Sequence, residues 1–280
     1  MKRGLLFAAI TAATLLTVGC SSLDERQREW IFQPGDRSWG GSAALAEGMQ
    51  DIWIAFPSKV TGEEAKLHGL WLPAKQNADT GPVMLYLHGA RWNVTGSAPR
   101  IRRMQQLGFS VLAIDYRGFG KSSKGLPSED MAYEDAQTAW KWLAAQHGQR
   151  ERFVFGHSLG GAIAIDLASR VDDERGVIVE GTFTSIPDVA SSMKFGWLPI
   201  SPLITQRFAS IRKVAKVQSP LLVVHGENDS LIPSDLGRRL YDAATGPKHF
   251  LLVEGGSHFS TMAVGLPRYR QALKDFFSLN

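Results

Sequence analysis

The stretch that most limits what this chain can fold into runs from residue 152 to residue 165. Arg152-Phe153-Val154-Phe155 has the composition of a strand, and Gly156-His157-Ser158-Leu159-Gly160-Gly161 is a turn. Ala162-Ile163-Ala164-Ile165 then opens a helix. A Gly-x-Ser-x-Gly in that setting puts a serine hydroxyl on a strained strand-to-helix turn at the carboxyl end of a sheet. Glycines on either side remove Cβ atoms that would strike the neighbouring strand and helix. The helix start supplies unpaired N–H groups and positive potential where an oxyanion would form. A turn that binds an anion, or simply packs tightly, has the same composition, so Ser158 needs partners before it reads as a nucleophile.

A serine hydroxyl attacks only when a base takes its proton. Of the seven histidines, His68 and His249 fall in or beside strands, and His147 closes a helix where a cation suits the terminus. His157 lies within the turn and cannot swing back to its neighbour, and His225 sits at a strand end. His258 follows Glu254-Gly255-Gly256-Ser257, a loop just after the last strand, from which an imidazole can reach Ser158. The carboxylate that would fix its tautomer is Asp229, in Gly226-Glu227-Asn228-Asp229-Ser230, with Glu227 the rival two residues earlier. The chain order Ser158, Asp229, His258 suits a strand–turn–helix nucleophile. Two N–H groups are candidates for the oxyanion hole: that of Leu159, and that of Ala90 in His88-Gly89-Ala90-Arg91-Trp92.

Around these residues, apolar runs alternate with helical patterns. Residues 51–56 and 67–72 alternate as an antiparallel hairpin would. Runs at 82–87, 110–114, 152–156, 176–180, 220–225 and 249–253 read as strands, the first as one buried on both faces. Helices are expected at 98–107, 131–146 (with Ser128 as cap), 159–170, 234–244 and 267–278. The pattern calls for an α/β fold: a mostly parallel sheet with an N-terminal antiparallel hairpin and helices on both faces. Residues 183–216, broken by Pro187, Pro199 and Pro202, read as a small cap excursion over the sheet's edge. Residues 20–50 read as a tether and irregular lead-in to a domain spanning 51–280.

The N-terminus reads differently. Lys2 and Arg3 precede an apolar run from Leu5 to Val18, then Gly19-Cys20-Ser21-Ser22, the build of a secretory signal. The run is shorter than the about 20 residues that span a bilayer comfortably. Leu16-Thr17-Val18-Gly19-Cys20 resembles the bacterial lipoprotein box, with Thr17 departing from the usual leucine. That resemblance implies a signal peptide over 1–19, acylation of Cys20 and an envelope location, with Ser21 favouring the outer membrane facing the periplasm. An uncleaved anchor is the alternative. Cys20 is the only cysteine, which excludes an internal disulfide framework. Removing residues 1–19 takes the 31 basic residues to 29 against 27 acidic ones, a balance that gives nucleic acid nothing to bind.

Five stretches together carry a further resemblance: Leu87-His88-Gly89-Ala90; Asp115-Tyr116-Arg117-Gly118-Phe119-Gly120-Lys121-Ser122; the turn at 156–161; His225-Gly226-Glu227-Asn228-Asp229; and Gly255-Gly256-Ser257-His258-Phe259. From about residue 51 to the end the chain resembles the alpha/beta-hydrolase superfamily, in its lidless or small-lid serine aminopeptidase-like and esterase-like branch. The resemblance implies that Asp115 and Arg117 are structural. Serine at position 158 sets the chain apart from dehalogenases and epoxide hydrolases of that fold. The expected activity is a serine hydrolase acting on a small acyl substrate, carboxylesterase-like, with no metal or organic cofactor. Trp92, Phe183, Phe195, Trp197 and Phe259 are candidates for its substrate pocket. A peptidase or amidase, or a non-catalytic envelope binding module, are the alternatives.

Overall fold

Strands β1 (Gln50–Pro57) and β2 (Glu64–Leu72) form the antiparallel hairpin that the alternating pattern calls for. In this computed structural model, which describes residues 22–35, 42–91, 93–193 and 196–279, the hairpin is one side of an eight-stranded sheet. The other strands are β3 (Val83–Leu87), β4 (Ser110–Ile114), β5 (Arg152–His157), β6 (Gly176–Glu180), β7 (Leu221–Gly226) and β8 (Lys248–Val253). Their order is β1-β2-β4-β3-β5-β6-β7-β8, antiparallel as far as the β2–β4 pair and parallel beyond it. Every residue of β3 to β7 is buried, because helices cover both faces; such strands need continuous apolar sequence rather than alternation.

Each face has its own core. On one side, α4 (Glu129–His147), α5 (Leu159–Ala168) and α7 (Ser234–Ala243) pack through residues such as Trp140, Ile163 and Leu240. On the other, α3 (Ala98–Gln106) and α8 (Thr261–Phe277) contribute Ile101, Met104, Tyr269 and Phe277. Ser128 caps α4 by accepting the Met131 N–H at 3.2 Å, satisfying an orphan donor of the first turn. The chain crosses from β3 to β4 on one side, then returns to place β5 on the other side of β3. The carboxyl ends of β3 and β5 therefore flank the point where the winding reverses, which is where open α/β sheets leave a crevice.

Three expectations need correction. Residues 20–50 are not all tether and irregular lead-in: a helix, α1, spans 22–32, and a short helix α2 runs over Ser42–Ala46. Ile31 and Phe32 enter the core, and the Phe32 ring packs on Phe119 and Phe208. Arg28 adds hydrogen bonds to the carbonyls of Leu126 and Pro127. The last helix starts at Thr261 rather than 267. Pro267 sits inside it on an exposed face, where the Ala263 carbonyl that loses its partner can turn to water. The excursion at 183–216, with α6 (Ile186–Ser192) and three short 3₁₀ turns, leaves β6, an interior strand rather than an edge one. It therefore lies over the crevice.

Candidate active site

Ser158 closes β5 and precedes α5, with φ 55° and ψ −121°. That left-handed conformation is costly for a side chain with a Cβ, and it holds only where its surroundings over-determine it. Here the Ser158 N–H donates to the Glu180 carbonyl at 2.9 Å, and the Ser158 carbonyl accepts from Gly161 N–H and the Thr182 hydroxyl, each at 2.9 Å. The turn closes this tightly only with glycine beside it. A Cβ on Gly160 would lie 2.2 Å from the Leu87 carbonyl oxygen, and one on Gly156 would lie 2.2 Å from that of Gly160.

His258 lies in the loop between β8 and α8, buried, with Nδ1 2.8 Å from Asp229 Oδ2. Asp229 follows β7. Its Oδ1 accepts the N–H groups of Leu231 (3.0 Å) and Ile232 (2.8 Å), and the His225 ring approaches Oδ2 at 3.4 Å. Burial works against the charge on Asp229, but hydrogen bonds from His225 and His258 and from the Ile232 N–H hold its carboxyl well below the ordinary range. Glu227, the rival carboxylate, is exposed and accepts the Gly255 N–H instead.

A cavity of about 210 Å³ opens between these loops. Ser158, His258, Ala90, Leu159, Phe183 and Phe259 all line it, so the structure gathers most of the residues singled out in the sequence. No hydrogen bond joins the Ser158 hydroxyl to the His258 ring among the described residues; the ring is held instead by Asp229. Trp197 does not line the cavity: at 78 % exposure it stands out from the cap. Trp92, Phe195, Cys20 and residues 1–19 lie outside the described residues. Among the described residues, no cluster of acidic, histidine or cysteine side chains could hold a metal ion, and no helix is long and apolar enough to cross a membrane.

Two features lay beyond the sequence reading. The first is α1, whose Trp30 and Ile31 line the cavity together with Gln33 just after it. The Phe32 carbonyl accepts the Arg91 N–H at 2.8 Å, next to Ala90, so this helix braces the loop that carries a candidate oxyanion donor. The second is Arg100 on α3. Its guanidinium donates to the carbonyls of His258 and Phe259, each at 3.2 Å, and pairs with buried Glu180 at 3.1 Å. Glu180 also accepts from the Tyr269 hydroxyl, and the His157 ring reaches the His258 carbonyl through Nε2 at 3.0 Å. Burial, with Arg100 and His258 nearby, pushes the His157 pKa well down, so that ring stays neutral. A glutamate ending the otherwise apolar β6 was the available signal, since a buried carboxylate needs a cation. Nothing marked Arg100 among the other arginines of α3.

Residues 79–210 match the family described as serine aminopeptidase, S33. The uncharacterized protein YfhR of Escherichia coli K12 is 30% identical over 261 residues, covering 88% of this chain and 86% of that one. The lysophosphatidylserine lipase ABHD12 of Danio rerio is 32% identical over 217 residues, which is 70% of this chain but 56% of the lipase. Among solved structures, the esterase Pf2001 of Pyrococcus furiosus superposes with a TM-score of 0.70 at 20% identity, over 88% of this chain and 96% of that one. With the sheet order, the hairpin and the strained serine turn, these likenesses give the family at the level of the fold: the chain is an alpha/beta hydrolase, whose residues 79–210 resemble the serine aminopeptidase S33 family.

Proposed function

We propose that this hydrolase cleaves a carboxylic ester through a Ser158–His258–Asp229 triad and an acyl-enzyme intermediate. The observation that carries the reading is the 2.8 Å contact from His258 Nδ1 to Asp229 Oδ2, made at the wall of the cavity that strained Ser158 lines. His258 Nε2 takes the hydroxyl proton as Ser158 Oγ bonds to the carbonyl carbon. The proton then passes to the departing alcohol. Water repeats the sequence on the acyl-enzyme: it gives His258 a proton, attacks the carbonyl, and the acid leaves as Oγ regains its proton. Asp229 holds the ring in the tautomer that accepts at Nε2.

The oxyanion is assigned to the N–H groups of Leu159 and Ala90. Neither is engaged by another described residue, and the first turn of α5 leaves its N–H groups without intrahelical acceptors. An ester is favoured because one wall of the cavity is apolar, formed by Ile31, Phe183, Ile186, Val189 and Ile232, and because relatives include a lipase and a structural neighbour is an esterase. The likeness of residues 79–210 to serine aminopeptidases favours a peptidase as the second reading. Acylation of Cys20, and with it anchoring in the cell envelope, belongs to the same proposal on the strength of the residues around it.

Parallel rates on a short p-nitrophenyl ester and on an aminoacyl anilide test the reading. Faster turnover of the ester, abolished in Ser158→Ala, is expected. A preference for the anilide selects the peptidase. A folded protein that turns over neither points to a binding module.

A further inference from the structure

The cavity mouth is bordered by large apolar side chains that face water. Trp30 is 54% exposed, Phe259 54%, Leu231 43% and Met193 41%, and all four also line the cavity. On the same cap, Trp197 and Leu203 are also exposed, 78% and 58%. These residues come from α1, from the cap, and from the loops after β7 and β8, so the patch is made by the tertiary fold rather than by one greasy segment. Soluble chains rarely gather this many large exposed apolar side chains around a site unless something covers them.

The chain itself says what covers them. α1 is fastened to the cap: the Gln27 side chain donates to the Leu203 carbonyl at 2.7 Å and accepts the Thr205 N–H at 2.9 Å, while Asp24 accepts from the Thr205 hydroxyl and the Gln206 amide. The apolar sequence from Leu5 to Val18 ends four residues before α1 starts. From residue 22 to Trp30 the helix advances only about 12 Å. Where the N-terminus is held in a lipid phase, by an acylated Cys20 two residues before α1 or by an uncleaved apolar run, α1 delivers the cavity mouth to the same surface. Tryptophan suits that boundary, with an apolar body and an N–H for the wet side.

We propose that the rim formed by Trp30, Met193, Trp197, Leu203, Leu231 and Phe259 docks on a lipid bilayer, and that the cavity draws an acyl ester directly from it. The substrate class is then a membrane-resident amphiphile whose acyl chain enters between the rim side chains. The part of this proposal that concerns substrate rests on the ester-hydrolase reading above; the docking itself does not.

The experiment uses the full chain with phosphatidylcholine vesicles carrying brominated acyl chains, which quench tryptophan at the depth of the label. Trp197→Phe keeps the rim apolar but removes a fluorophore, so the quenchable part of the emission falls. Trp53→Phe, on edge strand β1, leaves it unchanged. In a second arm, Trp197→Ser/Leu203→Ser is expected to lower hydrolysis of a long-chain ester dissolved in the vesicles about tenfold, with a short soluble ester still turned over at the wild-type rate. Quenching that Trp197→Phe leaves intact overturns the docking, as does a rim buried in a dimer and unquenched. Quenching at Trp197 without hydrolysis of any ester upholds the docking and overturns the ester-hydrolase reading instead.

Discussion

Arg100 reaches across from α3 to hold the backbone carbonyl of His258 at 3.2 Å, while the imidazole of the same residue contacts Asp229 at 2.8 Å. The imidazole is therefore fixed twice, through its ring by Asp229 and through its main chain by Arg100 and His157. Replacing Arg100 by Met removes both the loop's anchor and the cation paired with Glu180, whose side chain is fully buried. A loss of about 3 kcal/mol of stability is expected in urea unfolding. The double variant Arg100→Met/Glu180→Gln removes the stranded charge and recovers much of that stability. Its kcat on a short ester stays low while KM changes little, because the loop is still unanchored. Recovery of kcat together with stability would show that Arg100 serves the fold alone.

Asp229→Asn tests the other fastening. The amide cannot stabilise an imidazolium and favours the wrong ring tautomer, so kcat is expected to drop by roughly 10³–10⁴. Near-ultraviolet circular dichroism should remain that of the native protein, since the amide oxygen of the variant can still accept the N–H groups of Leu231 and Ile232. A variant with more than a tenth of wild-type turnover contradicts Asp229 as the partner of His258, and Glu227→Gln is then the next variant to assay.

The same carboxylate couples stability to pH. Its pKa in the folded state lies below the ordinary 3.8, against burial, because His225, His258 and backbone N–H groups bond the charged form. A group depressed by folding contributes stability that is complete above its unfolded pKa and is lost as pH falls toward its folded value. Urea midpoints should therefore decline below about pH 4. Asp229→Asn should show a shallower decline across that range. Parallel curves for the two proteins would assign the acid sensitivity elsewhere.

Gly160→Ala addresses the turn. The added methyl would meet the carbonyl oxygens of Leu87 at 2.2 Å and His88 at 2.5 Å, both backbone atoms at the end of β3. Relief requires moving α5 or the β3 strand end, at a cost of about 3 kcal/mol or more. Thermal unfolding measures it. A melting temperature equal to wild type would mean that the turn is looser than these contacts imply.

Much of this fold was legible because its strands are buried on both faces and so written as unbroken apolar runs; β4 over Ser110–Ile114 and β6 over Gly176–Glu180 fall where those runs lie. Asp229 and His258 were legible for a related reason, each following a buried strand on a loop that can aim only at the carboxyl end of the sheet. The contribution of α1 was not legible. Asp24, Gln27 and Arg28 look like solvated tether in the sequence but are half-buried, bonding the cap and the 126–127 carbonyls. Only Ile31 and Phe32 at its end show that it packs, and two residues give no period. Aromatic residues near the site misled for the opposite reason: Phe183 is buried against the cavity, whereas Trp197 projects from the cap. A sequence places an aromatic on a loop without saying which side of the loop it takes.

The central claim is that Ser158 is a nucleophile activated by His258, and one measurement reaches it without a choice of substrate. A fluorophosphonate phosphonylates a serine whose proton has a base to go to, Oγ bonding to phosphorus as fluoride leaves. Intact-mass and peptide analysis of the full chain should find one adduct, on the peptide containing Ser158, absent in Ser158→Ala and strongly slowed in His258→Ala. A folded wild-type chain that takes up no label, or takes it up at another residue, would contradict the account.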